Sequence, residues 1–207
     1  RLMGWPDNDP VKDAFLRSSR GVTELYSEAL SRLDIDGRKS MLRLGCGHNT
    51  SHASDDVEVV ILSAIPHDSP GEMGAVRIPS SVGQLDATAR ARLALAAVHA
   101  GVTKLAAIRG WEGTQFEACH RHVVDQGFIF GWQSPWKSSP DRRHEARAVF
   151  RLPPDDGFGR VVLQVRARGT DEVSRSPTAV AYCTSEGFRR SANTLTWSDS
   201  SEITMTP

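Results

Sequence analysis

Two stretches, "RHEARAVFRL" and "RVVLQVRAR", alternate apolar and polar residues without a break, and the turn-forming "PPDDGFG" joins them. A two-residue period belongs to a strand that is covered on one face and open on the other. Ala146, Ala148, Phe150 and Leu152 share one phase with Val161, Leu163, Val165 and Ala167 of the partner strand. The opposite phase holds Arg143, Glu145, Arg147, Val149 and Arg151, then Arg160, Val162, Gln164, Arg166 and Arg168. The pattern therefore predicts a hairpin with an apolar underside and an arginine-rich outer face. The underside needs another layer to cover it, and the rest of the sequence supplies helices.

"PVKDAFLRSSRGVTELYSEALSRL", residues 10–33, places Phe15, Val22, Leu25, Ala29 and Leu33 on one helical face, with Asp9 as cap and Pro10 in the first turn. Gly21 weakens its middle and leaves room for two shorter helices. "LDATARARLALAAVHAGVTKLAAIRG" is the clearest helix. Its stripe of Leu95, Val98, Val102 and Leu105 is widened by Leu93, Ala97 and Ala100, which implies burial on most sides. "TQFEACHRHVVDQG" reads as a further helix, with Thr114 and Glu117 as a capping box and Gly127 as terminator.

Strand candidates are "SMLRLGC", "VEVVILSAI" and "GAVRIP" in the first half, and "FIFGWQ" and "TAVAYC" beside the hairpin in the second. "VEVVILSAI" is apolar at almost every position, the mark of a central strand covered on both faces. "TSEGFRRSANTLTW" reads as a short capped helix or an irregular segment, and the polar tail after Trp197 as frayed.

The expected fold is α+β: a largely antiparallel sheet with residues 86–109 as the principal packed helix, in one domain spanning residues 1–207. Residues 24–78 and 117–165 both run helix, strand, polar loop, strand, turn, strand. That order is compatible with a tandem αβββ pseudo-duplication whose halves are about 10–110 and 111–197.

Lys+Arg and Asp+Glu both total 25, so no net charge draws the chain toward nucleic acid or a membrane, and an anionic partner must be recognised by a local patch. No uninterrupted apolar run reaches the ~20 residues that span a bilayer. The opening "RLMGWPDNDP" lacks a secretory layout, and three widely spaced cysteines do not make a disulfide framework. A reduced, cytoplasmic protein is expected. Arginine (21) far outnumbers lysine (4), which suggests a GC-rich, bacterial genome.

Dinucleotide, phosphate-loop, nucleophile-elbow and zinc-protease motifs are all absent, and nothing calls for a cofactor. Ser134-Pro-Trp-Lys137 matches Ser-x-x-Lys by letters, yet the prolines at 135 and 140 argue for a loop. Cys46, His48 and His52 in "LGCGHNTSHASDD" offer sulfur and imidazole to a zinc-like ion, with Asp55 or Asp56 able to add an oxygen and "Cys119-His120-Arg121-His122" a further ligand. A buried cysteine followed by solvated histidines in a polar loop is the stronger reading of the same residues. His99 lies among apolar neighbours and reads as a hydrogen-bonded core histidine.

The arginine face is the most coherent constellation. Arg143, Arg147, Arg151, Arg160, Arg166 and Arg168 share it with Glu145 as the acidic member. Guanidinium forks suit phosphates and carboxylates, and Trp132 and Trp136 just upstream offer stacking surfaces. The leading expectation is a non-catalytic binding module for nucleic acid or an acidic protein, with no membrane partner. The alternatives are a metal-assisted hydrolase centred on Cys46, His48 and His52, or a protein holding a small anion near Trp132, Trp136 and Arg151.

Overall fold

The computed structural model describes residues 2–3, 9–33, 35, 41–48, 56–62 and 71–206. Seven of the nine strand pairings among these residues are antiparallel, and the fold is α+β. The chain divides into two compact units, residues 1–129 with 154–157, and residues 130–153 with 158–207.

In the first unit, β1 (Leu2–Met3) precedes α1 (Pro10–Leu30). The Asp9 carboxylate accepts from the Val11 and Lys12 backbone N–H groups at 3.0 and 3.3 Å, the cap its position predicts. Helix α1 runs unbroken through Gly21, which is buried. There follow β2 (Leu42–His48), β3 (Glu58–Ile61), β4 (Glu72–Ile78), a 3-10 turn (Ser80–Gln84), α2 (Ala87–Arg109) and α3 (Thr114–Asp125). The sheet order is β1-β2-β4-β3, with β1/β2 and β2/β4 parallel and β3/β4 antiparallel.

Helix α2 packs against α1, α3 and the strands, and its buried positions run from Ala91 to Ala106. By length and composition it matches a membrane-crossing helix, with mean hydropathy 1.3, but half of that stretch is packed inside the fold, as in a core helix. Leu44 of β2 interlocks with it. A Cβ on Gly101 of α2 would stand 2.8 Å from Leu44 Cδ1, and one on Gly74 of β4 would stand 2.8 Å from Leu44 Cδ2. Two glycines thus form the slot that lets helix and sheet approach around this side chain.

Two local expectations are corrected in this unit. Strand β3 is an edge strand, not a central one. Val59 is buried, but Val60 and Leu62 are 47% and 44% exposed. An apolar run reports residue chemistry and cannot tell which flank has a neighbour. In α3 the capping box does not form. Gly113 is the cap residue, Thr114 Oγ1 donates to Glu112 Oε1 at 2.8 Å, and Glu117 turns to His99.

The second unit contains β5 (Phe130–Gln133), β6 (Lys137–Ser138), β7 (His144–Leu152), β8 (Gly159–Ala167), β9 (Val173–Arg175), β10 (Ala179–Ala181), α4 (Ser185–Asn193), β11 (Thr196–Trp197) and β12 (Ile203–Thr204). Its main sheet runs β10-β8-β7-β5, with β6 beside β7 and β9 beside β8, all antiparallel. The core face carries three stacked rings: Phe188 of α4 lies 6.1 Å from Phe130 and 4.7 Å from Phe150 between centroids. Helix α4 is the capped alternative for its segment, with Thr184 Oγ1 accepting from Gly187 N at 3.1 Å. The tail after Trp197 is not frayed within the described residues. It turns on Asp199, whose carboxylate accepts from Ser201 and Glu202, and returns as β12.

The two αβββ runs do not share a topology. Parallel β2 and β4 are neighbours in the first, whereas β5, β7 and β8 form an antiparallel meander in the second. Helix α3, the would-be helix of the second run, belongs to the first unit.

Candidate anion-binding face

The register of β7 and β8 pairs Glu145 with Arg166, Arg147 with Gln164, Val149 with Val162 and Arg151 with Arg160. Directly opposed residues in an antiparallel pair project from the same face. At the open end, Arg168 N donates to Arg143 O at 2.7 Å, which brings those two residues opposite each other. All six arginines of the sequence pattern therefore share one sheet face. Strand β9 adds Arg175 beside Gln164, a contribution the sequence reading missed because a three-residue strand carries almost no periodic signal.

The arginines are not equivalent. Arg166 Nε and Nη2 both approach Glu145 Oε2, at 3.1 and 2.9 Å, and Arg147 Nε donates to Gln164 Oε1 at 2.8 Å. Both guanidiniums also lie over the Trp136 ring, 4.5 Å from its centroid for Arg147 and 4.2 Å for Arg166. This middle row is a half-buried cluster in which indole, carboxylate and amide absorb two positive charges. Arg160 Nη1 turns to the carbonyls of Phe158 and Gly159, at 3.1 and 3.3 Å. Arg143, Arg151, Arg168 and Arg175 are exposed at the margins.

The two tryptophans occupy opposite faces. Trp132 is in register with Phe150 and packs on it at 5.7 Å, on the core side, while Trp136 belongs to the arginine side. They do not line one cavity together with Arg151. Ser134 and Lys137 are both engaged by backbone. Ser134 Oγ accepts from Ala148 N at 2.9 Å, and Lys137 Nζ donates to Leu195 O at 2.6 Å. Ser139, Asp141 and His144 form a turn: Ser139 Oγ donates to Asp141 Oδ1 at 2.6 Å and accepts from His144 N at 3.0 Å. The Ser139 hydroxyl, then the Arg143 N–H, hold the Asp141 carboxyl below its usual range.

Of the metal-ligand candidates, Cys46 is buried on β2 with its thiol pushed up to about 12 by burial, so it keeps its proton. The His48 backbone pairs with Ile78 at the strand end, and His52 lies outside the described residues. Among the described residues no group of three or more His, Cys, Asp or Glu side chains is placed to hold a metal ion.

A second polar cluster lies in the first unit and ties three helices together. Tyr26 of α1 meets His99 Nδ1 of α2 at 2.9 Å, and His99 Nε2 meets Glu117 Oε1 of α3 at 3.2 Å. Burial, then Cys119 and Glu117, push the Tyr26 phenol well above its ordinary pKa. The phenol keeps its proton, and in the tautomer that donates from Nε2 to the Glu117 carboxylate, Nδ1 is left to accept from the Tyr26 hydroxyl. Both ring nitrogens of His99 are engaged, the hydrogen-bonded core role expected from its apolar neighbours.

His120 packs edge-on against His99, with centroids 4.9 Å apart. Burial and then His99 lower its pKa, against an opposing pull from Glu117. The folded state thus resists a proton that the unfolded chain accepts near pH 6.5. Stability from this site is present above that value and lost as pH falls below it. Replacing His120 with Asn should flatten the decline between pH 7.5 and 5.5 in urea titrations. Identical pH profiles for variant and parent would refute this account.

No protein-family model, no curated protein and no solved structure matches the chain.

Proposed function

We propose that this chain is a non-catalytic binding module whose arginine-bearing sheet face engages an anionic partner, a nucleic acid or an acidic protein, in a reducing cytoplasm. The observation that carries the reading is the β7–β8 register, which gathers Arg143, Arg147, Arg151, Arg160, Arg166 and Arg168 on one side of the sheet. Directly opposed like charges, as at Arg151 and Arg160, oppose folding. A polyanion would relieve that repulsion. The three free cysteines are consistent with the compartment.

The division of labour within the face sets the test. Arg147 and Arg166 hold Trp136, and Arg143, Arg151, Arg168 and Arg175 reach out to the partner. Binding of inorganic polyphosphate, followed across a salt series, should weaken steeply as salt rises. Arg151→Ala and Arg168→Ala should each reduce the log–log salt slope by about 1 and leave stability within about 0.5 kcal/mol. Arg166→Ala should instead cost about 1–3 kcal/mol in urea, through loss of the Glu145 pair and the indole contact. Arg189→Ala, exposed on α4, should change neither quantity. Absence of polyanion binding at low salt, or an equal effect of Arg189→Ala, would defeat the proposal.

A further inference from the structure

Strand β5 ends the order β10-β8-β7-β5, so one side of it has no neighbouring strand. Ser134 N donates to Ala148 O at 2.9 Å, directly across from it in the β5–β7 register. Hydrogen-bonded and non-hydrogen-bonded pairs alternate along an antiparallel ladder. Phe130 and Trp132 therefore bond to β7, and the N–H and C=O groups of Gly131 and Gln133 turn toward the free edge. Both residues are exposed, and among the described residues those groups have no partner. Other edges are guarded. Lys104 Nζ donates to Val59 O on β3, and Pro177 stands between β9 and β10. Phe130–Gln133 carries neither charge nor proline.

The same edge borders the arginine face. Gly131 lies directly opposite Arg151, on the same side of the sheet. A Cβ there would meet nothing nearer than Phe150 O at 3.8 Å, so the space beside Arg151 is open. Arg151 is exposed, and among the described residues its guanidinium has no ion pair or hydrogen bond. A strand added beside β5 would set one residue opposite Gly131, about 10 Å from the Arg151 backbone at two strand spacings. A glutamate at that position can reach over the glycine to the guanidinium fork. The residues on either side of it would fall beside Phe130 and Trp132 on the core side. Trp132 is only half-buried there, so apolar side chains suit them. We propose that the anionic partner is an acidic protein, which adds an extended segment of alternating acidic and apolar residues to β5 as an antiparallel strand. This rests on the proposed anion-binding face and adds the class of partner and its manner of docking. A nucleic acid offers no peptide row to pair with Gly131 and Gln133, which favours the protein.

The test follows a fluorescent peptide of alternating glutamate and valine by anisotropy, beside oligo(dT) and inorganic polyphosphate at one salt concentration. The alternating peptide should bind about ten-fold more tightly than one of the same composition with its glutamates and valines in separate blocks. N-methylation of its glutamates, whose N–H groups would face β5, should abolish binding, and N-methylation of its valines should not. Gly131→Pro removes an outward N–H and should weaken peptide binding by about five-fold or more. Its binding of polyphosphate should be unchanged, which also reports that the variant is folded. Arg151→Glu should weaken peptide binding by about ten-fold or more and admit a peptide of alternating lysine and valine instead. Equal binding of alternating and block peptides, indifference to which residues are methylated, or tighter binding of oligo(dT) would overturn this inference and leave the arginine face standing. So would a dimer in sedimentation that Gly131→Pro dissociates, since a second copy would then hold the edge. Failure of the peptide and polyphosphate alike would remove the face itself, and this inference with it.

Discussion

Leu44→Ala should cost about 2–5 kcal/mol, the range for emptying a fully buried leucine site. Leu44 is almost wholly buried and its two methyl groups fit against Gly74 and Gly101, which have no side chains that can move in to fill the space. Gly101→Ala should also destabilise, because its new methyl group meets Leu44 Cδ1. The expected loss is about 1–3 kcal/mol from overpacking, reduced by the better helix propensity of alanine. The two changes together should cost less than their sum by about 1 kcal/mol or more, since the methyl group fills space that Leu44 vacates. Urea denaturation of the single and double variants measures this directly. Simple additivity would mean that α2 and β2 do not interlock there. Ile61→Ala, on the edge strand, should cost less than Leu44→Ala.

In the second unit, Phe150→Ala should cost about 3–5 kcal/mol. Phe150 is fully buried between Phe188, stacked at 4.7 Å, and Trp132 at 5.7 Å, so truncation removes partners from both rings and from α4. Its neighbour Val149 points to the arginine face, and Val149→Ala should stay within about 1 kcal/mol. Far-UV circular dichroism through thermal or urea unfolding separates the two. Comparable losses would mean that the alternating pattern of β7 does not divide core from surface.

The hairpin was legible because its signal is local. A residue in β7 or β8 goes to one face or the other by parity, and burial follows that parity along β7, whereas in the second half of β8 Gln164 is buried on the arginine face and Leu163 and Val165 are only half-buried. The long helices α1 and α2 were legible for a similar reason, with Asp9, Pro10 and Gly110 marking ends that the structure respects. The short strands β6 and β9 were not, because two or three residues cannot establish a period.

One neighbour of the face was hidden for another reason. Val180 comes from a separate segment, and only the β8–β10 register brings it beside Arg160. Trp132 and Trp136, four residues apart, looked like a pair, but the chain leaves β5 after Gln133 and rejoins the sheet as β6, and the two rings fall on opposite faces.

What the sequence by itself determined was the α+β class, the hairpin, the segregation of arginine from core on it, and the main helices. All of these depend on the order of neighbouring residues. Only the tertiary structure decided that β3 stands at an edge, that β2 and β4 run parallel, and that α3 belongs with the first unit. It also decided that Arg147 and Arg166 are absorbed by Trp136, Glu145 and Gln164. These outcomes depend on which distant segments become neighbours, and that choice is made by the packing of whole elements, where a local pattern carries no record of its partner.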